Sequence, residues 1–191
     1  MITNEYKIET WFPKSVFIVD NLLTDKLSAY TKILENIFEN NSTNRNDFLK
    51  VDSLHDTDFE LDHNIDFKEL IESISDFSKI YADNLGFKRT LELKNIWANI
   101  SYKNDYLLPH VHPNSVISGV FYIQAPAASE ITFFDNINTM FDDAEEPNHL
   151  SYKHCTYKCL PGRLLLFKSD FLHGTMNQPE GRKIAISFNI S

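Results

Sequence analysis

Cysteine is close to absent from this sequence. Among 191 residues only Cys155 and Cys159 occur. On an extended segment they would share one face about 13 Å apart, too far for a bridge. No disulfide framework is expected, and two structural thiols suit a reducing compartment. Basic residues are also short: 18 Lys and Arg stand against 27 Asp and Glu, for a formal net charge of −9. The balance leaves no strong nucleic-acid signal and no pull toward anionic membranes, since both rely on Lys and Arg fields. No apolar run approaches the ~18 residues of a membrane helix, and the opening "MITNEYKIETWFPKSVF" has no basic region followed by an apolar core. A cytoplasmic protein without membrane association is expected. Glycine numbers only 5, and no repeat or low-complexity linker breaks the chain.

What is present is 42% hydrophobic residues, enough for one domain with a real core. A single domain over 1–191 is expected, with a helical support region and an N-terminal strand in 1–90 and a β-rich core in 91–191. Residues 15–19 read as a strand. A helix follows, with Thr24 as its N-cap and Leu27, Tyr30, Ile33, Leu34, Ile37 and Phe38 on one face. The polar stretch "NNSTNRND" (41–48) reads as a loop. A second helix spans 65–85 and stops at Gly86. After Gly86 short β-rich runs alternate with turn signals, among them Pro161-Gly162, which suits the centre of a type II turn. The expected fold class is mainly β (α+β): a jelly roll, cupin-like, with two or more N-terminal helices packed on one sheet.

Seven histidines occur, and three stand out by context. His110 and His112 flank one residue at the start of the apolar run "SVISGVFYI". Side chains at i and i+2 of an extended chain point the same way, so two imidazoles can converge on one metal ion. His173 follows the apolar run "GRLLLFKSDFL" and can close such a site across a sandwich. Imidazole suits Fe, Zn, Cu or Ni. Nine residues on, Arg182 opens "RKIAISFNI", and its donor fork matches a carboxylate. Taken singly, each of these residues reads equally as a surface or hydrogen-bonded group. His55 and His63 read as surface residues, and His149 and His154 as part of a solvated acidic loop. Trp11 and Trp97 read as core.

The combination carries more than its parts. "WANISYKNDYLLPHVHPNSVISGVFYI", "PGRLLLFKSDFLHG" and "GRKIAISFNI" stand in the order seen in the Fe(II)/2-oxoglutarate-dependent oxygenases. The chain resembles in particular the small 2OG-Fe(II) oxygenases found in phages and marine bacteria, strongly over 95–191 and more loosely in "WFPKSVFIVDNLL". The resemblance implies a double-stranded β-helix, Fe(II), 2-oxoglutarate and O2, and hydroxylation of a substrate C–H bond with release of succinate and CO2. It implies His110 and His173 as iron ligands, Arg182 as the partner of the distal carboxylate of 2-oxoglutarate, and Tyr122 beside that carboxylate. Ser118 and Asn99 would line the pocket. A small-molecule or peptide substrate is expected, the oligomeric state is open with a homodimer among the options, and a phage-encoded chain would act in the host cytoplasm.

Two departures stand out. His112 occupies the place where most of the superfamily has Asp or Glu. Three arrangements follow: His112 as third ligand, His112 outside the ligand set with water or an anion in its place, or His112 as first ligand with Asn114 as a weak partner. Many relatives also carry a serine two residues after the arginine, where this chain has Ile184. Because ligation needs neutral imidazoles, metal affinity is expected to fall as pH drops through roughly 6.5. Two other readings compete: a cupin-like three-histidine metal enzyme that does not use 2-oxoglutarate, and a non-enzymatic structural or binding jelly roll. The segment 136–152 is a candidate lid over the pocket.

Overall fold

Strand by strand, the second half of the chain sorts its side chains by parity. On 183–190 the even positions Ile184, Ile186, Phe188 and Ile190 are buried in one apolar cluster, whereas Ala185 belongs to another. The period of two in an extended chain produces this split. The computed structural model describes residues 7–10, 13–40, 44–46, 51–55, 61, 63–135 and 144–191, with 44–46 and 51–55 described as backbone only. Trp11 and residues 136–143 of the candidate lid lie outside the described residues.

In chain order the elements are β1 (Val16–Val19), α1 (Leu27–Asn40), β2 (Asn44–Asn46), β3 (Val51–His55), a 3-10 turn (Ile65–Phe67) and α2 (Lys68–Asn84). Then come β4 (Leu93–Ser101), β5 (Leu107–His110), β6 (Ile117–Gln124), β7 (Glu130–Phe134), β8 (His154–Lys158), β9 (Leu164–Lys168), β10 (His173–Thr175) and β11 (Lys183–Ile190). Among the described residues they form a seven-stranded sheet in the order β1-β9-β6-β11-β4-β3-β2 and a four-stranded sheet in the order β5-β10-β7-β8. All the strand pairs are antiparallel. This is the expected jelly roll with helices on one sheet.

The outer face of the large sheet carries the helices. Tyr30 and Leu34 of α1, and Leu70, Ile74 and Tyr81 of α2, pack with Ile96, Ala98, Ile117, Phe121, Leu164 and Ile186. Each large side chain buried here contributes about 1.5–3 kcal/mol. The inner face packs against the small sheet through Val120, Leu165, Phe167, Ile131 and Phe133. On the helix-facing side Gly119 leaves room for its neighbours: a Cβ there would run into the Phe188 ring and come 2.7 Å from Leu166.

Several local expectations hold. Gly86 ends the second helix at φ 84°. Gly162 takes φ 80°, and Arg163 N–H donates to the Leu160 carbonyl at 2.9 Å, closing the turn read from Pro161-Gly162. Two details differ. The first helix begins at Leu27, because 22–26 form a turn in which Leu23 takes φ 49°, so Thr24 is not its cap. The stretch read as a polar loop holds β2, which joins the large sheet through β3. Backbone pairing offered by β3 outweighs the low strand propensity of Asn there. Among the described residues no helix is long and apolar enough to cross a membrane.

Candidate metal centre and cavity

Three histidines gather at the β5 edge of the small sheet. His110 ends β5 and His173 begins β10, and the two are direct cross-strand partners. His112 lies two residues past His110, and its backbone N–H donates to the Ser169 carbonyl at 2.9 Å. The ring centroids are 4.5 Å apart for His110 and His173, 5.0 Å for His110 and His112, and 5.1 Å for His112 and His173. One ligand nitrogen from each lies within 4.8 Å of the others.

Tautomers follow from the partners. His110 Nδ1 meets the Leu108 carbonyl at 2.8 Å, and His173 Nδ1 meets the Phe171 carbonyl at 2.8 Å. A carbonyl can only accept, so both Nδ1 atoms carry the proton and both Nε2 lone pairs are free for a metal. His112 Nε2 stands 3.3 Å from His173 Nε2. Two nitrogens bound at ~2.1 Å and at right angles to one ion would be about 3 Å apart, so the spacing fits a shared metal. Ligation through Nε2 puts the His112 proton on Nδ1, which has no hydrogen-bond partner among the described residues.

Burial keeps these imidazoles neutral. Desolvation, then the neighbouring histidines, lowers His173 to about 3 and His112 to about 4. Burial also lowers His110, against the Leu108 hydrogen bond that raises it. Neutral, convergent imidazoles are the protonation state that metal ligation needs. The donor set fits Fe(II), and no carboxylate joins it among the described residues.

A cavity of about 220 Å³ opens beside the histidines, with Trp97, Asn99, Tyr122, Lys183 and Ser187 in its wall. Asn99 Nδ2 donates to Ser187 Oγ at 3.1 Å. The Trp97 ring lies 5.7 Å from His112, so the residue read as core is a wall of the cavity. Tyr122 is 2% exposed and lines the cavity, sharing a hydrogen bond with the Cys159 thiol, and burial raises the pKa of its hydroxyl well above the usual range.

Two residues expected in the pocket lie elsewhere. Ser118 Oγ donates to Asn189 Oδ1 at 2.7 Å and meets Ser169 Oγ at 2.8 Å, in a buried network outside the cavity wall. Arg182 hydrogen-bonds Gln124 Oε1 at 3.1 Å and makes a close ion pair with Glu35 of α1. The reason is parity: Arg182 shares the side of Ile184 and Ile186, which faces the helices. The next residue, Lys183, shares the side of Ala185 and Ser187 and lines the cavity. Lys183 is 6% exposed, and burial lowers its pKa against the nearby Cys159 and Asp105 charges. It has no ion-pair or hydrogen-bond partner among the described residues. The signal that finds Lys183 was in "RKIAISFNI", where the apolar parity marks the helix side.

The remaining candidates are peripheral. His63, His149 and His154 are exposed, and the side chain of His55 lies outside the described residues. Asn114 is exposed at φ 65°; its carbonyl accepts from Lys94 Nζ at 2.9 Å, and it is not part of the histidine cluster.

Residues 95–189 match the family model described as "Putative 2OG-Fe(II) oxygenase". No curated protein matches the sequence. Among solved structures, a Pseudomonas putida prolyl-4-hydroxylase superposes with a TM-score of 0.68 at 8% identity, over 93% of this chain and 92% of that one. HygX from Streptomyces hygroscopicus, with nickel and 2-oxoglutarate bound, gives 0.65 at 12% identity over 93% and 83%. The viral collagen prolyl hydroxylase of Paramecium Bursaria Chlorella virus-1, in a 2-oxoglutarate complex, gives 0.60 at 12% identity over 92% and 94%. At such identities the likeness is one of fold.

Proposed function

The chain belongs to the 2OG-Fe(II) oxygenases, with Fe(II), 2-oxoglutarate and O2 as its cofactors and co-substrates, and from that premise we propose that it hydroxylates a C–H bond of a small-molecule or peptide substrate. The balanced reaction converts R–H, O2 and 2-oxoglutarate into R–OH, succinate and CO2. His110, His112 and His173 hold the iron through Nε2. Lys183 receives the distal carboxylate of 2-oxoglutarate, with Tyr122 beside it. Bound iron supplies the activation of O2.

One observation carries this reading: the cavity that begins at three neutral, convergent histidines contains a buried lysine with no ion-pair or hydrogen-bond partner among the described residues. A buried ammonium without a partner is costly, and a ligand carboxylate relieves it. Ser101 stands opposite Lys183 on β4 and also lines the cavity. The neighbouring Ala185 is small, which leaves room along the strand for a five-carbon dicarboxylate. The apolar walls Val120, Ile131 and Phe167 exclude water between the two ends.

The test is succinate formation by purified protein given Fe(II), 2-oxoglutarate and O2, with anaerobic titration of 2-oxoglutarate onto the metal-loaded protein. The reading expects saturable 2-oxoglutarate binding that requires the metal, together with slow succinate release without substrate. A protein that binds metal but shows no 2-oxoglutarate binding at millimolar concentration overturns it.

A further inference from the structure

The charges around this cavity do not balance once it is loaded. Three neutral imidazoles leave a bound Fe(II) ion with its full double positive charge. Protonated Lys183 adds one more, and the 2-oxoglutarate dianion removes two. One carboxylate of the dianion pairs with Lys183 and only the other reaches the metal, so one positive charge is left over at the histidine end. A carboxylate in the place of His112 would cancel it, but among the described residues no acid lines the cavity. Asp105 is the nearest acid by its effect on Lys183. It sits outside the cavity wall, accepts from the Tyr102 backbone N–H at 2.8 Å, and acts on the Lys183 end rather than the histidine end.

The surplus has a direction. Lys183 is 6% exposed, so the end of the cavity away from the histidines is closed. On the histidine side Trp97 and His112 are only partly buried, their rings 5.7 Å apart in the cavity wall. There, His112 differs from its two companions. The Nδ1–H groups of His110 and His173 are taken up by backbone carbonyls, whereas His112, with Nε2 on the metal, has an Nδ1–H with no partner among the described residues. A positive field and a spare N–H donor at an open mouth suit an acceptor that bears negative charge.

We propose that this protein acts on a substrate carrying a single carboxylate, held beside His112 and Trp97 at the mouth of the cavity. The inference rests on the proposed oxygenase reading and names the substrate class for that site. Because the substrate itself is unidentified, the probes are benzoate, benzamide and benzylamine, which share a flat ring for Trp97 and differ in charge. Each is titrated into Zn(II)-loaded protein saturated with 2-oxoglutarate, and binding is followed by calorimetry.

The expected order is benzoate at least ten-fold tighter than benzamide, with benzylamine weakest. His112→Asp, which returns the missing negative charge while keeping a metal ligand, is expected to retain 2-oxoglutarate binding and lose the benzoate preference. Chloride at 100-fold excess over benzoate is expected to change benzoate affinity less than two-fold, which separates an organic carboxylate from a simple inorganic anion. Equal binding of benzoate and benzamide, no binding of any probe, displacement by chloride, or an unchanged preference in His112→Asp overturns the proposal. Failure of 2-oxoglutarate itself to bind is a separate outcome: it removes the oxygenase reading, and this inference falls with it.

Discussion

Arg182 and Lys183 are adjacent in the chain and serve opposite faces of the same sheet. Arg182 ties β11 to Glu35 of α1, while Lys183 stands in the cavity. Both are cations, so their substitutions separate a structural role from a ligand-binding one. Arg182→Met is expected to cost about 0.5–1 kcal/mol of stability, the worth of a part-exposed ion pair, and to leave the Kd for 2-oxoglutarate within two-fold. Lys183→Met is expected to weaken 2-oxoglutarate ~10- to 100-fold, as loss of a charge-assisted pair does. Denaturation curves and anaerobic titration of both variants check this; the reverse pattern restores Arg182 as the anchor.

Metal binding should survive to lower pH than the composition alone suggests. An exposed histidine would begin to lose metal near pH 6.5. Here His112 and His173 are depressed to about 4 and about 3, so protons compete only below about pH 5. The sign for the metal-free fold is the opposite of protective. The unfolded chain takes up protons near 6.5 while the folded one does not, so stability falls as pH drops from about 6.5 toward 4. Zinc retention and thermal midpoints across pH 7 to 4 measure both effects. Metal loss centred at pH 6.5 would show that burial does not set these pKa values.

Ser118 is outside the cavity yet fully buried, joined to Asn189 and Ser169. Ser118→Ala leaves the Asn189 oxygen without this donor and is expected to cost about 1–3 kcal/mol. Affinity for 2-oxoglutarate should stay unchanged. The measurements are urea unfolding and ligand titration on the same variant, and a selective loss of ligand affinity would return Ser118 to the pocket.

Gly174 lies directly after His173, and a Cβ on it would come 2.6 Å from the Leu107 carbonyl. Gly174→Ala is therefore expected to force β10 away from β5, and with it His173 from His110. The predicted result is a metal affinity at least ten-fold weaker with a destabilised fold, about 1–3 kcal/mol by the usual cost of overpacking. Zinc titration of the variant at a temperature where it is folded tests this.

Much of the architecture was legible along the chain because the relevant signals are local. The helices announced themselves by spacing, the Gly86 stop and the Pro161-Gly162 turn by composition, and the three histidines by their place beside apolar runs. What failed depended on which side of a sheet a residue faces. In "RKIAISFNI" the alternation is clean, and following it puts Lys183 rather than Arg182 on the cavity side. In β6 it is not: Ile117 to Ile123 are buried on both faces, so nothing in the pattern separates Ser118 from the cavity wall. Strand β3 pairs with the edge of β4 and β2 pairs in turn with β3, partners that the polar stretch 41–48 does not advertise.

The two histidine tautomers are held by carbonyls at 108 and 171, each two residues before its ring. A backbone carbonyl is the same whichever side chain its residue carries. The orientation of these two ligands is therefore beyond the reach of point substitution at Leu108 or Phe171, except through the path of the main chain itself. Mutational drift can alter what surrounds the metal, the substrate mouth included, while the axes along which His110 and His173 present their lone pairs stay put. Only His112, whose ring has no such tether among the described residues, is open to retuning by its neighbours. A new specificity would most easily be acquired there.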